Sequence, residues 1–178
     1  MRTDKPRIDP LLAADWDEAA KKALEPVLNE AGETLNIFAT FAKNPVALNA
    51  FVAWGTFILF QTDLSGRERE ILILRVGHLG RSGYEFAQHT AIGLRSGLSE
   101  KDIKNLQNSD GAGDWTEAES LLIRSADQLM SDHHISDEVW ASLSAHYSEK
   151  QLMDIVFVVG QYAQVCMALN SFGVQLET

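Results

Sequence analysis

Three features of the sequence predict an all-helical fold. Apolar residues recur at three- and four-residue steps through most of the chain. Ser/Thr-x-x-Glu/Gln capping patterns open several of those runs. No alternating apolar–polar run bounded by turn residues marks a strand.

Residues 1–14 hold two prolines and no sustained period, which predicts an extended arm. From Asp15 onward, Trp16, Ala19, Ala20, Ala23, Leu24, Val27 and Leu28 make one amphipathic face, with Pro26 placed to kink or shorten that helix. Residues 35–43 read as a short helix. Asn44-Pro45 is an N-cap followed by proline at the first helical position, and it opens a helix running to about Phe60. Helix starts follow at Ser65 with Glu68, Thr116 with Glu119 and Ser148 with Gln151, and a weaker one at Ser99 with Asp102. Gly97 stands where a left-handed residue closes a helix. Residues 108–115 form the one clear flexible loop. Residues 15–178 are thus expected to make a single helical domain.

Composition narrows the classes. At 178 residues and 46 % apolar, the chain can bury a sizeable core in one domain. Its 25 acidic against 15 basic side chains argue against binding nucleic acid or an anionic membrane surface. Cys166 is the only cysteine, so no disulfide can form within these residues and no CxxC is present; it reads as a small core residue. The first residues run into polar sequence, and no run is expected to approach the roughly 20 apolar residues of a membrane span. The expected address is cytoplasmic.

An internal echo links two segments. Ser65 leads through Ile71-Leu72-Ile73-Leu74 to Gly77, and Ser148 leads through Ile155-Val156-Phe157-Val158 to Gly160. Two helices capped alike and apolar nearly all round suggest a duplicated unit at a centre, or at a subunit interface. Two similar core helices arising by chance is the plain alternative.

In the segment 66–79, the polar residues are the informative ones. Glu70, Leu74 and Gly77/His78 share a face, and in the next helix, 82–96, Glu85 and His89 lie four apart. Two carboxylates and an imidazole converging from consecutive helices suit proton transfer. The bland alternatives are a solvated Glu–His pair and a first-turn glutamate favouring the helix dipole. His133-His134 and His146 read as helix-end residues, and His78 as core or supporting. Gln161, Tyr162 and Asn170 are polar residues in an apolar helix and need partners.

Residues 63–103 resemble the core motif of the carboxymuconolactone decarboxylase and alkylhydroperoxidase D-like superfamily. On the peroxidase pattern, the glutamate falls at Glu70, the two cysteines at Ser82 and Glu85, and the histidine at His89. The spacing matches and both cysteines are absent. A glutamate four before the histidine agrees with the decarboxylase branch. Ile37-Phe38, Asn44-Pro45, Trp115 to Glu119 and Val159 to Tyr162 extend the likeness to a long cysteine-free subgroup over roughly residues 30–177.

The resemblance implies an oligomeric helical bundle, a trimer or hexamer rather than a monomer. It also implies a cofactor-free lyase or isomerase acting by acid–base chemistry on a small carboxylated or lactone-type catabolite, not a thiol peroxidase. His89 would carry the proton, Glu85 would orient it, and Glu70 would be the second acid/base. Arg75 or Arg81 would hold an anionic substrate, with Tyr84, Trp54 and Tyr162 as pocket walls. A metal on Glu70, Glu85 and His89 is disfavoured, because that set has one histidine and no second Glu-x-x-His. The alternative class is a helical oligomeric binding or scaffold protein without catalysis. That reading predicts the trio tied up with itself and no cavity beside it; an enzyme predicts a partly apolar pocket.

Overall fold

The computed structural model describes residues 2–108 and 111–177, and among these every regular element is a helix. They are α1 (Glu18–Leu24), α2 (Asn36–Phe41), α3 (Pro45–Phe60), α4 (Gly66–Leu79), α5 (Gly83–Arg95), α6 (Glu100–Asn105), α7 (Glu117–Asp132), α8 (Asp137–Ser144) and α9 (Glu149–Phe172). Short 3-10 turns cover Ala13–Asp15 and Glu25–Val27.

The caps place the helix starts. Ser65, Ser99, Thr116 and Ser148 each accept from the backbone N–H three residues on, while that residue's side chain accepts from the cap's own N–H. Each reciprocal pair satisfies two orphan donors and contributes about 1 kcal/mol. Ser99–Asp102 is as complete as the others, since an aspartate at the third position reaches back too. Asn44 caps α3, with Pro45 at the first turn. Pro26 ends α1: the helix closes at Leu24 and tightens into the 3-10 turn that contains the proline. Gly97 is left-handed, at φ +92°. Helix α1 begins at Glu18 rather than Asp15, because Asp17 is the cap that accepts from Ala20 N–H.

The arm is pinned along its length. Arg7 and Ile8 donate backbone hydrogen bonds to the Phe172 carbonyl, and Leu11 donates to Ala39. The predicted loop 108–115 is described only outside residues 109 and 110; Trp115 Nε1 donates to the Gly111 carbonyl there.

Helix α4 is the centre of the bundle. Every residue from Glu70 to Gly77 is buried, enclosed by α5, α7 and α9. Its aliphatic run demands this: apolar side chains on all faces need neighbours on all faces. Truncating one, as in Leu72→Ala, costs about 2–5 kcal/mol. Its echo, α9, is not enclosed in the same way: Met153 and Met167 are exposed, as is Gly160.

Contrary to expectation, α9 is long and apolar enough, by length and composition, to cross a membrane. Within this chain half of that stretch is buried, and the helix packs on α4 and α7. The sequence reading missed it because Asp154, Gln161 and Asn170 interrupt the apolar run without lowering its average enough.

Candidate active site

Helices α4 and α5 run close together because small residues line their contact. A Cβ built on Gly93 of α5 would stand 3.1 Å from Leu74 Cδ1 and 3.9 Å from Glu70 Cβ, so a larger side chain would push the helices apart. That approach brings Glu70 to His89 across the interface.

The three predicted residues meet. Glu70 Oε2 lies 2.7 Å from His89 Nδ1, and Glu85 Oε1 lies 3.0 Å from His89 Nε2. All three are buried, Glu70 completely. Burial works against a charged imidazole, but hydrogen bonds and the field of Glu70 and Glu85 outweigh it and raise the His89 pKa to about 9. The ring is therefore an imidazolium at neutral pH, donating to a carboxylate on either side. Both nitrogens are engaged, and among the described residues no three His, Cys, Asp or Glu side chains form a metal-ligand set.

Ser82 and Glu85 show what the carboxylate is diverted from. Ser82 caps α5 and accepts from Glu85 N–H, the first half of a capping box. The second half is missing, because the Glu85 side chain goes to His89 instead of returning to the Ser82 backbone. Ser-x-x-Glu at 82–85 carries the same cap signal, not among the helix starts read from the sequence, and the departure of Glu85 from its usual partner is visible only in three dimensions.

Two polar atoms beside the trio lack hydrogen bonds. Glu70 Oε1 and Arg69 Nε are both buried and unsatisfied, 3.8 Å apart, beyond hydrogen-bond reach. Tyr162 stands edge-on to His89, with ring centroids 5.0 Å apart, and its hydroxyl has no hydrogen-bond partner among the described residues. Burial first, then the charges of Glu85 and Glu70, keep that phenol protonated. Arg69 was not anticipated. It is adjacent to Glu70 in sequence, and neighbours on a helix ordinarily face apart; only side-chain burial turns it back.

Other candidates lie elsewhere. Arg75, expected at the substrate, is fully buried: its guanidinium pairs with Asp127 at 2.6 Å and donates to the carbonyls of Leu106 and Asn108. One helical turn beyond Ile71, it faces α7 rather than α5. Arg81 is exposed in the α4–α5 turn, at φ +51°, and makes no contact with the trio. Tyr84 is buried on the opposite side of α5, its hydroxyl donating to Glu177 at 2.7 Å and accepting from Ile37 N–H. Trp54 stacks on Phe57 and meets Phe157 edge-on, away from His89. Tyr162 alone of the expected pocket walls reaches the imidazole. Asn170 has its partner in the Gly80 carbonyl at 2.8 Å. His133 closes α7 in a left-handed conformation, and His146 lies 3.9 Å from Glu117.

Cys166, distant from the motif in sequence, packs against it in space. Its sulfur is 3.9 Å from the Val76 carbonyl, and burial, with Glu85 nearby, pushes the thiol pKa up to about 12.

Residues 45–128 match the carboxymuconolactone decarboxylase family, and that span contains Glu70, Ser82, Glu85 and His89. The fold is that of several solved structures. A peroxidase-related protein with an alkylhydroperoxidase AhpD core, from Ralstonia eutropha JMP134, superposes with a TM-score of 0.84 at 18 % identity, covering 97 % of this chain and 92 % of that one. A peroxidase-related protein from Silicibacter sp. TM1040 gives 0.80 at 19 % identity, covering 99 % and 92 %. The debrominase Bmp8, solved with 2,3,4-tribromopyrrole, gives 0.78 at 18 % identity, covering 99 % and 94 %. No functionally curated protein matches the sequence. The likeness is thus to the carboxymuconolactone decarboxylase family over residues 45–128, on a fold shared with the alkylhydroperoxidase AhpD core.

Proposed function

We propose that this protein is a cofactor-free lyase or isomerase that moves protons on a small anionic substrate, with His89 as the proton carrier. One observation carries the reading: Glu70 holds His89 through one oxygen and leaves the other buried and unsatisfied beside an equally unsatisfied Arg69. Buried polar atoms are nearly always paired, and unpaired ones collect where a ligand completes them. An oxygen of a substrate carboxylate or enolate would accept from Arg69, and a substrate hydroxyl would donate to Glu70.

In a decarboxylation, the bond to the carboxylate carbon breaks and its electron pair stays on the substrate as a dienolate. His89 donates its Nε2 proton to the carbanionic carbon, displacing its contact with Glu85, and water restores the proton. Glu70 keeps Nδ1–H in place throughout. That the debrominase Bmp8, of the same fold, was solved in complex with 2,3,4-tribromopyrrole supports a flat, conjugated substrate. Among these residues there is no thiol pair for peroxide reduction.

The protein works as a homo-oligomer in this proposal. Helix α3 is apolar on every side, yet only Leu48 and Ile58 are buried, and Val46 and Phe60 are 81 % and 78 % exposed. Such a surface suits a partner subunit.

A second reading is favoured by a specific feature. Both His89 nitrogens already have carboxylate partners, as expected of a binding or scaffold protein whose trio is purely structural. Solvent exchange separates the two. In D2O, with a panel of unsaturated lactone and aromatic carboxylates, the enzyme reading expects CO2 release or deuterium at carbon by NMR, abolished in His89→Ala. No exchange and no release from any compound, with wild type folded, would leave the scaffold reading standing.

A further inference from the structure

A cavity lies apart from the His89 trio and shares no residue with it. It is a groove of about 290 Å³ between the N-terminal arm, the end of α2, the start of α3 and the last turns of α9. A smaller cavity of about 190 Å³ adjoins it, since Ile8 and Thr40 line both.

The walls of the groove are aromatic. Phe41 meets Phe51 and Phe172 edge-on, at 4.9 and 5.9 Å between centroids, and all three line it. Edge-on rings are a rigid apolar surface on which another ring or an alkyl chain can lie. The groove's far wall is fixed, because Phe172 is the residue whose carbonyl holds the arm at Arg7 and Ile8.

Two polar features give it direction. Thr40 is 4 % exposed, and its hydroxyl has no hydrogen-bond partner among the described residues. Lys43 stands at the rim, exposed and in no ion pair among the described residues. In a chain of net charge −10, no acidic residue lines either cavity. A lysine without a countercharge, above aromatic walls and a buried free hydroxyl, is complementary to an anion with an apolar body.

We propose that this groove binds a small amphipathic monocarboxylate, its ring or chain against Phe41, Phe51 and Phe172 and its carboxylate at Lys43. The site is independent of the acid–base proposal and stands whether or not the His89 trio is catalytic.

Isothermal titration of the full chain with 4-phenylbutyrate, and with the neutral 4-phenylbutanol, tests it. The carboxylate is expected to bind saturably at one site, with the alcohol weaker by about tenfold, the scale of one charge-assisted contact. Lys43→Glu, a surface change, should weaken the carboxylate by a similar factor. Ala168→Phe, which fills the groove, should abolish binding of both compounds, and Glu85→Gln should change neither. No saturable binding to wild type, equal affinity in wild type and Lys43→Glu, or loss in Glu85→Gln with retention in Lys43→Glu would each overturn the proposal. Circular dichroism of each variant confirms the fold; Lys43→Glu decides the matter if Ala168→Phe does not fold.

Discussion

Arg75 and Asp127 join α4 to α7 through two parallel bonds, Nε to Oδ1 at 2.6 Å and Nη2 to Oδ2 at 3.1 Å. The same guanidinium satisfies the carbonyls of Leu106 and Asn108 behind α6. One side chain thus gives the buried Leu106 carbonyl its donor and joins Gly111 N–H in donating to the Asn108 carbonyl. Arg75→Ala is expected to cost about 3 kcal/mol, since it removes a fully buried side chain, breaks the pair with Asp127 and leaves the Leu106 carbonyl without that donor. Arg81→Ala, on an exposed turn, is expected to stay within about 0.5 kcal/mol. Urea denaturation compares the two directly, and equal effects would refute the assignment of Arg75 to structure.

The His89 trio makes stability depend on pH in a defined direction. With its pKa raised from 6.5 to about 9 in the fold, His89 binds its proton more tightly folded than unfolded. Its contribution is fully present below about pH 6.5 and disappears as pH rises through about 9, on the order of 3 kcal/mol over that window. The groups facing it are Glu70, Glu85 and Tyr162. Urea midpoints from pH 6 to 10 should fall steeply in wild type and less so in His89→Gln. Parallel profiles would show that the imidazole is not held as a cation.

The thiol of Cys166 should be inert. It is 2 % exposed, and its pKa is pushed up to about 12, so little thiolate exists at neutrality. A disulfide reagent such as DTNB is expected to give no release from the folded protein over hours at pH 8 and one equivalent in guanidinium. Rapid reaction of the native protein would mean that α9 opens, or that the thiol serves the neighbouring site.

Gly80 is where α9 passes closest to the α4–α5 turn. A Cβ there would lie 2.9 Å from Cys166 Cβ and 3.0 Å from its sulfur. Gly80→Ala is expected to destabilise by about 1–3 kcal/mol through overpacking, read as a lower melting temperature. A neutral result would require α9 to shift, which a weakened bond from Asn170 to the Gly80 carbonyl would reveal by hydrogen exchange.

Much of the helical framework was legible because its signals are local. Ser65, Ser99, Thr116 and Ser148 each sit three residues from a partner, and no distant contact is needed to satisfy a cap. Pro26 and Gly97 act through their own backbone angles. Helix α8, capped by Ser136, was not singled out, since its eight residues carry too short a period to stand apart from their surroundings.

Within the candidate site, the sequence determined that Glu85 and His89 share a face, because four residues make about one turn. Glu70 stood out as a polar residue in an aliphatic helix, and the likeness to a known motif set it with the other two. Tertiary structure alone decided that all three meet, that Arg75 turns away to Asp127, that Arg69 stands beside Glu70, and that Tyr162 stands beside the imidazole. The physical reason is that helical periodicity fixes direction within one helix, whereas the partner of a buried polar group is set by which helices pack against it. Gly93, by letting α4 and α5 approach, and α9, by crossing both, made those choices.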